Sequence, residues 1–363
     1  MKKIIKYLLF ILLITTGILA ASGKLYYYKA LVYNFVDIDD LNLFHNREVK
    51  NGTGLPWNFS TDYNKKNLTD TLTALLEANK SVAFLIVKND SICFEKYWED
   101  YGQPSLIGKA IDEGKIKSLD QPVADFIPEF KDGEKSKITI RHLMMMSSGL
   151  DWNEGYSSLT SQVTEAYYGT ELYKQVTSLG VAEVPGKFWE YKSCDSELLA
   201  IIVNKATGKS VAAYASEKLW KPLGAEHSAQ WSLDHKDGLE KAYCCFYSNA
   251  RDFARFGKLM LQHGRWNDTQ IIDSAFIHQC ITPNNLPNKE DNKPVQHYGY
   301  QWWLSNISNH PVYYMRGILG QYVIVIPDMQ MIIVRLGHKR SNNPDGKPND
   351  YKFYAEQVIK MFE

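Results

Sequence analysis

The stretch "PVYYMRGILGQYVIVIPDMQMIIVRLG", residues 311–337, decides the fold. It holds three apolar runs, "PVYYMRG", "QYVIVIP" and "MQMIIVRLG", rich in β-branched and aromatic residues and broken by Gly, Pro and Asp. Short runs of that composition between turn residues read as strands. A fourth run, "YGYQWWLS" (298–305), precedes them. The apolar core "YVIVI" needs neighbours of its own kind, and the chain offers one good match, "AFLIV" in "SVAFLIVKNDSICFEKYWEDY" (81–101). That segment reads as two strands around a turn at Lys88-Asn89-Asp90, so the hairpin Val82–Tyr97 is expected to pair with the strands after Tyr298.

Working outward, "NLTDTLTALLEANK" (67–80) and "DYKFYAEQVIKMF" (350–362) have apolar residues at helical spacing. "NARDFARFGKLMLQHG" (249–264) is a patterned helix closed by Gly264, and Gly208 stands just past the end of another. Between about residue 118 and Trp231 the pattern is short helices with polar connections. The expected fold class is therefore α+β: one antiparallel sheet made from both ends of the chain, flanked by the terminal helices, plus a mostly helical second domain. The α/β part is expected over about 60–110 and 245–363, and the helical part over about 111–244, within a domain 23–363. A ligand cleft belongs at their junction.

With 363 residues and 45% hydrophobic content, the chain can bury a large core. Lys+Arg and Asp+Glu both count 41, so no basic excess suggests a nucleic-acid partner. The start, "MKKIIKYLLFILLITTGILAASGK", has cations at Lys2, Lys3 and Lys6 before an apolar run to Ala21. Residues 1–22 have the form of a signal peptide or an uncleaved signal anchor. Cations before the run put the body outside the cytoplasm, periplasmic or membrane-anchored. Five cysteines do not make a disulfide framework in so long a chain, and the adjacency of Cys244 and Cys245 disfavours an ordinary bridge between them. No His-Glu-x-x-His and no paired Cys-x-x-Cys occurs, so no metal or other cofactor is expected.

Four segments occur in order: "KAIDEGKIKSLDQPVADFIPEF…ITIRHLMMMSSGLDW" (109–152), "PGKFWEYKSCDSELLAIIVNKATGKS" (185–210), "ARDFARFGKLML" (250–261) and "YYMRGILGQYVIVIPDMQMIIVRLGH" (313–338). From about Ser81 onward, the ordered set resembles the serine beta-lactamase-related hydrolases: class C beta-lactamases, DD-peptidases, and the esterases and amidases that share their beta-lactamase/transpeptidase-like fold. The resemblance implies acyl transfer on a small-molecule or peptide ester or amide, without a metal. In that family a Ser-x-x-Lys pair supplies nucleophile and base. A Tyr-x-Asn or Tyr-x-Ser loop assists, and a strand with a Lys-Thr-Gly-like triplet completes the oxyanion hole. By this resemblance Tyr191 and Ser193 of Tyr191-Lys192-Ser193 are catalytic. Arg316 replaces the strand cation, Gly317 lets substrate approach, Ile318 offers an oxyanion amide, and Gln321 marks the hydrolase branch rather than a beta-lactamase. His142, Met144–Met146 and Trp152 are expected beneath the cleft, and of the alternating Trp302 and Trp303 at most one should face substrate.

One element is missing. No Ser in the chain is followed by Lys three residues later, so the nucleophile is unknown. The nearest substitute, Ser105 with Lys109, is spaced by four on what would be one helix face. A loss of roughly fifteen residues after Gln103 fits the helix register better. An isolated phenol titrates near ~10 and cannot replace the pair. Two readings follow: an exported serine hydrolase impaired by loss of its nucleophile segment, or a non-catalytic envelope binding protein that keeps the fold.

Overall fold

The computed structural model describes residues 2–33, 36–98, 107–156, 158–343 and 348–363. The expected Ser105 and the segment after Gln103 lie outside the described residues. The chain opens with helices α1 (Lys2–Ala21) and α2 (Tyr26–Tyr33), strands β1 (Asn46–Val49) and β2 (Asn58–Phe59), and α3 (Asp70–Ala78). The hairpin follows as β3 (Ser81–Lys88) and β4 (Ser91–Tyr97). Helices α4 (Ile107–Asp112), α5 (Ile140–Met144), α6 (Gln162–Tyr168), α7 (Leu172–Thr177), α8 (Ser193–Thr207) and α9 (Val211–Ala215) fill the middle. Strands β5 (Ala229–Ser232) and β6 (Phe246–Tyr247), helix α10 (Ala250–Leu261), the short pair β7 (Arg265–Trp266) and β8 (Thr269–Gln270), and α11 (Ser274–Cys280) lead back to the sheet. The sheet is completed by β9 (Trp303–Ile307), β10 (His310–Arg316), β11 (Tyr322–Ile326) and β12 (Met331–Gly337), and α12 (Asp350–Phe362) closes the chain.

The seven-stranded sheet runs β2-β4-β3-β12-β11-β10-β9. Its long pairs are antiparallel, and only the two-residue β2 runs parallel to β4. The hairpin joins the C-terminal strands, as expected, but through β3 and β12, from Lys88 opposite Met331 to Phe84 opposite Arg335; the matched run "YVIVI" (β11) lies one strand further on, paired to β12. Side chains alternate between the two faces, as the strand period requires. Phe84, Ile86, Ile324 and Ile333 pack with Leu72 and Leu76 of α3 and with Tyr354, Val358 and Ile359 of α12. Leu85, Val87, Val323 and Val334 face the other core, shared with α8, α10 and the middle helices. Gly257 lets α10 lie close to the sheet, since a Cβ there would come within 2.6 Å of Ile332 Cγ2.

One departure from expectation stands out. Cys244 and Cys245 are joined by a disulfide. Cys245 takes the left-handed conformation (φ 66°), which turns the chain sharply enough for neighbouring thiols to meet. Arg335 sits in the middle of an apolar strand yet is fully buried. Its guanidinium donates to Ser81 Oγ (3.0 Å) and to the carbonyls of Asn79 (2.5 Å), Leu319 (3.0 Å) and Gly320 (2.9 Å). A buried cation is tolerated when its donors are matched in this way. Here it ties the β10–β11 connection to the sheet.

Candidate active site

The candidate site forms where the start of α8 meets β9 and β10. Residues 186–192 run into α8 along an extended path, with Gly186 N–H on the Ser147 carbonyl (2.8 Å) and Glu190 N–H on that of Met146 (2.9 Å). Along this path alternate side chains point opposite ways. Lys192 is buried, bonded to the Leu150 carbonyl and paired with Glu190 Oε2 at 2.8 Å, so its ammonium is committed away from Tyr191. Tyr191 turns the other way and stacks on Trp303, with ring centroids 5.6 Å apart. Trp303 also meets Trp189, Tyr298 and His297. Trp302 points into the core against Tyr313, so the expected alternation of the two tryptophans holds.

Arg316, at the end of β10, places its guanidinium 3.7 Å from the centre of the Trp303 ring. The predicted loop residue and the predicted strand residue therefore meet on one indole. Among the described residues no carboxylate pairs with Arg316. Its charge favours ionisation of the Tyr191 phenol, but burial and then the charge of Glu154 outweigh it and push Tyr191 up to about 12. At neutral pH Tyr191 is a proton donor.

The β10–β11 connection is tightly organised. Gly317 donates its N–H to the Gln321 carbonyl (2.8 Å), and a Cβ at Gly317 would press on the Gln321 side chain at 2.9 Å. The amide of Gln321 is bonded both ways to the Gly337 backbone, at 2.6 and 2.9 Å, which extends the β11–β12 ladder by one side chain. Ile318 is exposed, and no acceptor among the described residues takes its N–H. Of the four residues expected there, Arg316 lies on the Trp303 ring, Ile318 is exposed, and the Gln321 amide is bonded to the Gly337 backbone.

Glu154, which the motifs do not single out, lies beside the candidate site. It accepts from Ser193 Oγ (2.5 Å), Ser193 N–H (2.8 Å), Trp152 Nε1 (2.5 Å) and the Tyr156 hydroxyl. Ser193 therefore directs its hydroxyl hydrogen at a carboxylate rather than into the cleft. Glu154 lies in a polar loop without periodicity, and only the neighbouring Trp152 pointed to that loop. Behind Ser193, Asp195 in the first turn of α8 is fully buried, and burial pushes its carboxyl up to about 7. His142 helps cap α5, its Nδ1 accepting from the Thr139 N–H at 3.2 Å.

Two other polar clusters are separate in character. A cavity of about 350 Å³ is lined by residues including Arg47, Lys174, Asp234, His235 and Glu240. Asp234 there accepts from the N–H groups of Leu172, His235 and Leu239, and Glu240 pairs with Arg47 at 2.7 Å. Asp37, Asp39 and His338 bring ligand atoms within 4.8 Å of one another. His338 Nδ1 already donates to Asp37 Oδ1 at 2.7 Å, an ion-pair geometry that needs no metal.

Comparison with known proteins shows what the chain as a whole is similar to. A family model described as Beta-lactamase matches residues 105–353. The 6-aminohexanoate-dimer hydrolase of Paenarthrobacter ureafaciens is 25% identical over 291 residues, covering 72% of this chain and 73% of that protein. A solved structure from Bacillus anthracis, provisionally named a 6-aminohexanoate-dimer hydrolase, superposes with a TM-score of 0.74 at 23% identity, covering 88% of this chain and 90% of that one. A class C beta-lactamase superposes with a TM-score of 0.57 at 15% identity, covering 84% and 99%. The two superpositions speak to the fold, which is beta-lactamase/transpeptidase-like.

Proposed function

Since this chain belongs to the beta-lactamase family, we propose that it is an exported, membrane-anchored member whose cleft binds a small ester or amide and does not turn it over through an acyl-serine. One observation carries the reading. Tyr191 and Arg316 share the Trp303 ring, which supports a retained binding half of the site, while the chain contains no Ser-x-x-Lys. Covalent acyl transfer needs a nucleophile held beside a base. Tyr191 does not supply one, because a phenol held at about 12 keeps its proton. Lys192 is the nearest lysine in sequence, and it is tied to Leu150 and Glu190.

In this reading the stacked pair Tyr191 and Trp303, with Trp189 edge-on behind Trp303, packs against the ligand. Arg316 pairs with a ligand carboxylate, and the Ile318 N–H and the Tyr191 hydroxyl donate to a carbonyl oxygen. Donors of this kind gain strength once a bound ligand excludes water. The relative from Paenarthrobacter is named for the 6-aminohexanoate dimer. A linear amide of that class carries a carboxylate for Arg316 and an amide carbonyl for Ile318 and Tyr191. Glu154 and Ser193 then shape the floor rather than react.

The test is binding measured together with turnover. Short ω-amino amides should quench tryptophan fluorescence saturably, and Arg316→Ala should weaken binding about tenfold, the loss of one charge-assisted contact. Chromatography of the ligand should show no hydrolysis above the uncatalysed rate. Saturable hydrolysis would restore the enzyme reading, and absence of binding to any ester or amide would overturn the cleft assignment.

A further inference from the structure

We propose that α2 is a collar that seats the folded domain on the outer surface of the membrane, with Leu25, Tyr28, Leu31 and Val32 in the boundary between lipid headgroups and acyl chains. The proposal rests on the reading of α1 as a membrane anchor. Helix α1 has 20 residues, a mean hydropathy of 2.3 and no residue buried against protein. At 1.5 Å per residue it is about 30 Å long, enough to cross a bilayer.

The connection to α2 is short and built. Gly23, in the left-handed conformation (φ 70°), ends α1, with its N–H on the Ala20 carbonyl (3.2 Å) and that of Lys24 on Leu19 (2.7 Å). The Tyr27 N–H then bonds to the Lys24 carbonyl (3.1 Å), so α2 begins within a turn of the point where α1 stops. The inner face of α2 belongs to the domain. Tyr26 and Ala30 are buried against Tyr167 and Tyr168 of α6, with Phe44, Cys244 and Cys245 packed around them.

The outer face points the other way. Leu25, Leu31 and Val32 are exposed, Val32 at 75%. Between them Tyr28 bonds to Thr16 Oγ1 at 2.7 Å, and Thr16 in turn bonds to the Leu12 carbonyl inside α1. Thr16 lies more than one turn before the end of α1, about 7 Å back along its axis. The outer face of α2 is therefore folded back along the flank of α1 rather than extended away from it. Apolar side chains held beside the last turns of a spanning helix share its solvent. Tyr28 and the exposed Lys24 and Lys29 suit the headgroup level, where tyrosine rings and cations anchor helices. The domain then has a fixed seat on the membrane rather than a flexible tether.

The experiment uses the full chain in nanodiscs of phosphatidylcholine and phosphatidylglycerol, spin-labelled singly at Leu12→Cys, Val32→Cys or Glu290→Cys. The signal of the identically treated unsubstituted chain is subtracted to remove native thiols. Power saturation compares access to oxygen, which partitions into lipid, with access to a water-soluble nickel chelate. Labels at positions 12 and 32 should favour oxygen, and the label at 290 should favour the chelate. If the label at 12 favours oxygen but that at 32 matches 290, the anchor reading stands and the collar is overturned. If the label at 12 favours the chelate, the anchor reading fails and the collar with it. Strong dipolar broadening between labels at 32 would show that a second copy covers this face, which also overturns the proposal.

Discussion

Replacing Asp195 by Asn removes a carboxyl that is fully buried in the first turn of α8, directly behind Ser193. A helix N-terminus favours negative charge by about 0.3–1 kcal/mol. Ser148, Lys192 and Cys194 act in the same direction. Burial outweighs all of them and pushes the carboxyl up to about 7. In the unfolded chain an Asp titrates near ~3.9. Below that pH both states carry the proton and Asp195 costs nothing. As pH rises from about 4 to 7 the unfolded chain releases its proton while the folded protein keeps it, so stability is lost across that window. Above about 7 the penalty is constant. A gap of about three pH units at about 1.4 kcal/mol each sets a ceiling of about 4 kcal/mol. Local relaxation around a buried ion lowers the realised cost, and about 1–3 kcal/mol is expected. Urea unfolding followed by tryptophan fluorescence, at a series of pH values from 4 to 9, isolates the effect as the difference between parent and variant. Asp195→Asn should be more stable by about 1–3 kcal/mol at pH 8.5 and within about 0.5 kcal/mol of the parent at pH 4. A pH-independent offset, or a variant that loses stability as pH rises, would refute the burial argument.

Lys241 should show the opposite dependence. Burial pushes its amine down to about 7, so stability is lost as pH falls from about 10 to 7, and Lys241→Met should gain most below neutrality in the same unfolding series. Arg335→Met leaves the acceptors at Asn79, Ser81, Leu319 and Gly320 unmatched, and should cost about 3–5 kcal/mol and expose the β10–β11 connection to early amide exchange. Gly257→Ala drives a methyl group to 2.6 Å from Ile332 Cγ2 and should cost about 1–3 kcal/mol in the same denaturation assay.

Much of the fold is legible from periodicity, because a strand with one face on each of two cores must alternate. The hairpin's place beside the strands after Tyr298 follows from shared β-branched and aromatic composition, although its direct partner is β12 rather than the "YVIVI" strand β11, and alternation sends Trp302 into the core and Trp303 toward Tyr191. Helix ends are written locally: Asn249 caps α10 through the Asp252 N–H, and Gly208 closes α8 at φ 68°. The candidate site is legible only where a motif survives, at Tyr191–Ser193 and Arg316–Ile318. Glu154 escapes because its role comes from tertiary packing: nothing within its loop tells that four donors from Trp152, Tyr156 and Ser193 will converge on it. Gln321 reads as a substrate residue from motif position, yet the approach of Gly337 across the sheet engages both ends of its amide. The Cys244–Cys245 bridge depends on a left-handed residue that no propensity argument favours at cysteine.

The central claim is that an assembled binding cleft stands in a chain that lacks a Ser-x-x-Lys nucleophile. Intact-mass spectrometry after incubation with an activated ester or a beta-lactam tests it most directly. The account predicts an unmodified mass at saturating probe, together with saturable quenching of tryptophan fluorescence that Arg316→Ala weakens. A stoichiometric acyl adduct, mapped to Ser105, Ser193 or any other residue, would contradict it.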